Sequence, residues 1–315
     1  MSTTGHRART GGVRYIFVRS DPGSCRGRQL TSNYKCAMSN TAVYSTVDHV
    51  MIRLLDIDPL LSLFADVFGL PVSWPKQSSS FATFAWVHVG NTELELWASA
   101  SNSDLPKESQ PPLIHGFALE PVDLEASVAH LTQAGLQCKS PRPYQTKTAD
   151  GSLTTNFTNS VLLDLSSDSC CIFFCAWNPE GTIYPWKERL TTAERRARDQ
   201  LEMTKRGGGT IGLVGLSAIE MSTPNLSDAE KKWRLLTESS GTGIELTADM
   251  VLRLTQGNRQ VIQSLTFEVR SLESARDFLL ANGLLGASSE HEISLESTAI
   301  CGLRMKFRQA REAAQ

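Results

Sequence analysis

Val47-Asp48-His49-Val50-Met51-Ile52-Arg53-Leu54 is the stretch on which the fold turns. It alternates. Val50, Ile52 and Leu54 fall on one side of a strand, and His49, Met51 and Arg53 fall on the other. The apolar side asks for a helix behind it. The other side carries an imidazole and a guanidinium, which a dry core does not accept without partners. The stretch therefore reads as a strand whose back packs on a helix and whose front lines a polar cavity.

The residues after this strand agree. Asp58 and Pro59 predict a helix start, Leu60, Leu63, Phe64, Val67 and Phe68 form a helical stripe, and Gly69 ends it. A short strand near Val72 comes next. Residues 81–89 and 92–97 then read as two strands joined by a Gly90-Asn91 turn. In the second of them Leu94 and Leu96 face the helix side, while Glu93, Glu95 and Trp97 face away.

The order strand, helix, three strands begins again at Leu113 with Ile114-His115-Gly116-Phe117-Ala118-Leu119. Asp123 predicts a helix cap, and strands are expected over 161–165 and 171–176. A third unit begins at Val214, laid without a gap over Val47 to Leu54, with Ser227 and Glu230 read as a capping box. A fourth begins at Val261, where residues 261–268 match 113–120 and Ser271 stands in the place of Asp123. Two long repeats of this kind argue for duplicated domains rather than a solenoid. Between them, residues 178–209 hold a Thr191-x-x-Glu194 capping box and a charged segment. With few apolar residues, this segment predicts a surface helix connecting two domains.

The chain's 315 residues are 41% hydrophobic and carry a net charge of −2, so nothing electrostatic points to nucleic acid or an anionic membrane. No apolar run reaches the ~18 residues of a membrane span. Seven irregularly spaced cysteines without a CxxC pair suit free thiols in a reducing, cytoplasmic setting. Residues 1–37 hold seven basic groups against the single acid Asp21. They read as a disordered extension reaching to residue 44, with organelle targeting as the lesser alternative and Met38 as a second start.

The units, with His49 in "DHV", Glu95 in "TELELW" and His115 in "IHGFAL", resemble the vicinal oxygen chelate superfamily of glyoxalase I, bleomycin-resistance proteins and extradiol dioxygenases. The resemblance is strong over residues 45–176 and weaker after 210. It implies an α+β fold of four βαβββ units paired into two cup-shaped mixed sheets. The first cup, 45–177, would hold the active cavity; the second, 210–308, would be degenerate, with a tail at 309–315. It further implies one divalent ion (Fe, Mn, Ni or Zn) on His49, Glu95 and His115, Phe173 occupying the usual fourth position. Two imidazoles and a carboxylate suit such an ion. Glu95 is then the expected catalytic carboxylate, and Arg53, Trp97, Phe117 and Phe173 the expected substrate contacts.

The resemblance leaves two functions open. One is a metal-dependent lyase, isomerase or oxygenase acting on a small carbonyl or vicinal-oxygen compound. The other is a non-catalytic module that sequesters a small molecule between apolar walls including Trp86. The expected partner in either case is a small molecule, and a homodimer is left open.

Overall fold

The computed structural model describes residues 42–147, 150–178, 180, 190–238 and 243–311. The expectations for residues 1–37 fall outside them. In chain order the first half runs β1 (Tyr44–Leu54), α1 (Asp58–Ser62), β2 (Val72–Ser78), β3 (Ala82–His88), β4 (Glu93–Ser99), β5 (Leu113–Pro121), α2 (Leu124–Gln133), β6 (Arg142–Lys147), β7 (Leu153–Val161) and β8 (Cys171–Trp177). After α3 (Thr192–Lys205), the second half runs β9 (Leu213–Thr223), α4 (Leu226–Thr237), β10 (Ile244–Thr247), β11 (Met250–Gln256), β12 (Val261–Val269), α5 (Leu272–Ala281), β13 (Leu285–Ser288), β14 (Ile293–Leu295) and β15 (Met305–Gln309).

The two halves share a pairing plan. β1 lies parallel to β4 and antiparallel to β5, and β5 lies parallel to β8. Likewise β9 lies parallel to β11 and antiparallel to β12, and β12 lies parallel to β15. The remaining strands add antiparallel edges, β3 and β2 on one flank of the first half, β7 and β6 on the other. The halves join where Ile262 of β12 pairs with Ile114 of β5. Among the described residues the third unit has two strands after its helix, where three were expected.

One face of the ladder, the back, is apolar in both halves. Val50, Ile52, Leu94, Leu96 and Phe117 from the first half lie in the same core as Ile219, Leu265 and Phe307 from the second. Phe117 is fully buried there and stacks on Trp233 of α4 at 5.8 Å. It is therefore a core residue and not the substrate contact expected of it. Its place in the strand explains this: Phe117 and Leu119 alternate toward the helices, and Ala118 between them turns to the front.

The helix ends show which local signals operate. Asp123 accepts from Ala126 N at 2.9 Å, and the Thr191–Glu194 box forms in both directions. At α4 the cap is Asn225, accepting from Asp228 N, and not the expected Ser227. Asp58 opens α1 from inside the helix and pairs with Lys76. The α3 segment is not the surface helix its composition suggested. Arg195, Asp199 and Met203 form a buried face, spaced four apart, against the first half.

The ladder also shifts the third repeat. Through β4 and β5, Met51 stands opposite Glu95 and Gly116; through β11 and β12, Glu220 stands opposite Arg253 and Ser264. Residues 216–223, not 214–221, therefore match 47–54, and Ala218 takes the place of His49. The fourth repeat holds as expected, Gln263 falling in the same irregularity of β12 as His115 in β5.

Candidate functional site

The front face of the first half begins with a break in β1. Val47 pairs with Leu119 and His49 with Ala118, so Asp48 is an extra residue in the ladder. Such a bulge re-aims a side chain that strict alternation would send to the back. Asp48 is fully buried, yet its carboxylate meets polar partners on both oxygens. Oδ2 accepts from His49 Nδ1 at 2.6 Å and from Trp177 Nε1 at 3.1 Å. Oδ1 accepts from Arg196 at 2.5 Å and lies 3.6 Å from the Arg195 guanidinium.

His49 is thus held by one ring nitrogen and free at the other. Its Nε2 lies 3.6 Å from Glu95 Oε2. The ring sits 4.5 Å from Trp86 and 5.7 Å from Phe173, centroid to centroid. Burial works against charge on Asp48, but the hydrogen bond and charge of His49 and the two arginines outweigh it and hold the carboxyl well below the usual range. Burial also opposes a charged His49; Asp48 and, less, Glu95 overcome it and raise the imidazole. Burial pushes Glu95 up against the pull of His49. The result is a proton-holding trio, Asp48–His49–Glu95, with only the Glu95 side chain, 12% exposed, reaching toward solvent.

Walls surround it. Trp74 and Trp86 pack with Phe84 and Trp177; Ala118, Phe173 and Cys175 pack with Met51, Phe157 and Val161. Arg195 closes one end, its guanidinium 5.9 Å from the Trp86 ring centroid and 5.8 Å from that of Trp177. Beside it, Glu93 is buried. It accepts from Ser73 at 2.5 Å, meets His88 Nδ1 at 3.1 Å and lies 3.5 Å from Arg195. A cavity of about 440 Å³, lined by Asp48, His88, Glu93, Arg196 and Gln200, opens on this side under α3.

Of the three expected ligands, His49 and Glu95 come together and His115 does not. His115 falls between the Met51–Gly116 and Ile52–Ile114 pairs. That is two to three residues further along the ladder than His49, about 7–10 Å at the ordinary strand rise. There it is pushed down to about 4 by burial and by the Arg53 charge. Phe173 supplies no donor. Among the described residues no three His, Cys, Asp or Glu side chains are placed to hold one ion, so the implied ligand set does not fit. Cys175 stays a thiol, raised well above its ordinary value by burial and by neighbouring carboxylates, and Cys171 is pushed up to about 11 by burial.

The expected substrate contacts divide. Phe173 lines the trio. Arg53 is 4% exposed and already engaged, with Asp104 at 2.6 and 3.1 Å and Asn102 at 2.8 Å. Trp97 stacks on Phe84 at 5.7 Å, opposite Arg53 and away from His49. Asp48, Trp177, Arg195 and Arg196 were not foreseen. The one signal for Asp48 was a charge inside an apolar strand.

Residues 48–153 match the family model of the Glyoxalase/Bleomycin resistance protein/Dioxygenase superfamily. No curated protein matches the chain. Among solved structures, a hypothetical protein from Staphylococcus aureus is similar at 13% identity and TM-score 0.55, covering 84% of this chain and 99% of its own. Homoprotocatechuate 2,3-dioxygenase from Brevibacterium fuscum, in complex with 3,4-dihydroxyphenylacetate, is similar at 12% identity and TM-score 0.53, covering 87% and 83%. The enzyme of the same name from Arthrobacter globiformis is similar at 12% identity and TM-score 0.51, covering 86% and 82%. At such identities the likeness is one of fold. The family's sequence signature lies over the strands that build the Asp48–His49–Glu95 trio, so residues 48–153 form a domain of the Glyoxalase/Bleomycin resistance protein/Dioxygenase superfamily.

Proposed function

We propose that the front of the first half binds a small, largely apolar molecule carrying a hydroxyl or enolisable carbonyl, and that His49 and Glu95 exchange a proton with that group. The observation that carries this reading is the trio itself. Asp48 fixes the ring of His49 and leaves Nε2 facing Glu95 at 3.6 Å, inside walls of Trp86 and Phe173. A base oriented by a carboxylate, beside a second carboxyl whose pKa burial raises, is the pairing proton transfer needs. Aromatic walls with few polar groups are what an apolar ligand needs.

A second reading is a divalent ion held by His49 Nε2 and Glu95. The carboxylate behind Nδ1 favours it, since such partners orient metal-binding imidazoles, and divalent-metal use is general in the superfamily. Two protein donors fall short of the usual three.

The test is a titration of full-length protein with phenols and α-hydroxyketones, read by quenching of Trp86 and Trp177 fluorescence, alongside elemental analysis. Saturable quenching in metal-free protein, and proton exchange on the ketone that Glu95→Gln slows at least tenfold, is the expected result. Stoichiometric metal whose removal abolishes binding would favour the second reading, and no binding in either state would overturn both.

A further inference from the structure

The second half carries its own polar centre on the front face, at the positions that answer to the trio's surroundings. Glu220, Arg253, Lys306, Ser264 and Thr266 all alternate with core residues of β9, β11, β15 and β12, and so face front. By ladder register Arg253 occupies the place of Glu95, opposite Glu220 as Glu95 is opposite Met51. Lys306 occupies the place of Phe173, opposite Thr266 as Phe173 is opposite Ala118. Where the first centre has a carboxylate and a phenyl ring, the second has two cations.

Cations outnumber carboxylates at this centre: Arg253, Lys306 and Arg308 face Glu220 and Glu292. Glu220 engages them through both oxygens: Oε2 accepts from Ser264 at 2.6 Å and Lys306 at 3.0 Å, and Oε1 lies 3.6 Å from Arg253. Glu292 takes Arg308 at 2.7 Å and lies 3.7 Å from Lys306. Two atoms remain without a hydrogen bond. Arg253 Nη1 is buried with only the long pairing to Glu220, and the hydroxyl of Thr266, a residue with no exposed surface, has no partner. A buried polar group left unmatched costs about 1–3 kcal/mol, so a site with such groups calls for a ligand or water that accepts from them. Guanidinium, ammonium and hydroxyl donors converging from three strands match an acceptor-only group.

We infer that the front of the second half is a binding site for a small oxyanion, a carboxylate or phosphate, received by Arg253, Lys306 and Thr266, with Glu220 holding the two cations apart. The two halves then take chemically opposite ligands. The first takes a molecule that gives up or accepts a proton, and the second takes an anion.

The experiment is isothermal titration of the full chain with inorganic phosphate and, separately, succinate, at constant ionic strength. Saturable binding of at least one probe is expected. Arg253→Met and Lys306→Met should each weaken it at least tenfold, and Thr266→Val several-fold; Lys76→Ala, on a distant surface pair, should leave it unchanged. Lys306→Gln keeps a hydrogen bond to Glu220, so it serves if the methionine variants do not fold, and it should also weaken binding. The preference between the probes identifies which oxyanion the site suits. No saturable binding of either, or binding that survives loss of both cations, would overturn the assignment.

Discussion

Asp48 and His49 are sequence neighbours whose side chains share one face and meet at 2.6 Å. In a regular strand they would point to opposite faces. The extra residue in β1 between the Val47 and His49 pairs makes the contact, and Arg195 and Arg196, arriving from α3, balance the carboxylate it buries. The site therefore depends on a helix outside the sequence signature of the family.

Asp48→Asn removes the charge that raises His49 while leaving its burial, which acts the other way. The His49 titration midpoint should then fall below 6.5, the ordinary histidine value. Imidazole resonances followed by NMR across pH check this. In the wild type His49 and His88 should titrate above 6.5 and His115 near 4. An unmoved His49 midpoint in the variant would place the cause elsewhere.

Stability should fall as pH rises above 6.5. His49 is raised by Asp48, and His88 by Glu93 and Gln200, each against burial. A raised histidine contributes stability that is fully present below the unfolded value and lost as pH rises through the folded one. His115, lowered, works the opposite way, but only as pH falls from 6.5 toward 4, outside this window. Urea melts at pH 6.5 and at a series of higher pH values should show the loss, and His49→Gln with His88→Gln should flatten it.

Arg195→Met should cost about 3 kcal/mol, the range for removing one partner from buried charges, because it takes a cation from beside the buried carboxylates of both Asp48 and Glu93. Lys205→Ala on the same helix removes an exposed pairing with Glu202 and should change stability by less than ~0.5 kcal/mol. Denaturant melts of the two variants give the comparison. Equal small effects would mean that α3 is not keyed into the site.

The parts of the molecule legible from residues were those with a period. Alternation in β1 and β4 placed Val50, Leu94 and Ile52 at the back and His49 and Glu95 at the front; Asp123 and Thr191 marked helix ends as observed, and so did Gly69, which follows the π-helical turn Leu63–Val67 that continues α1. What escaped was whatever a period of two cannot record. Sliding residues 214–221 by two leaves every apolar residue on its face, so the true register of β9 was invisible. A bulge breaks the period, which hid Asp48 and set His115 beyond the reach of His49. Arg195 came from a segment whose charged composition suggested solvent, because composition does not show which guanidinium finds two tryptophans.

His115 and Phe173 offer the sharpest test of metal binding. Because the ladder separates His115 from His49 and Glu95, His115→Ala should leave unchanged any Mn, Zn, Ni or Fe affinity the protein has. Phe173 stands where a third donor would count, its ring 5.7 Å from that of His49. Phe173→Glu adds a carboxylate to one imidazole and one carboxyl, the number of donors an open divalent site uses. It should create saturable binding of Mn or Zn. That binding should weaken as pH falls and His49, raised by Asp48, takes up its proton. Adding His49→Ala to Phe173→Glu should abolish it, and adding His115→Ala should not. Titration calorimetry of the wild type and these variants checks each step. Loss of metal from the wild type on His115→Ala alone would show that the imidazole swings into the centre, against the register of β1 and β5.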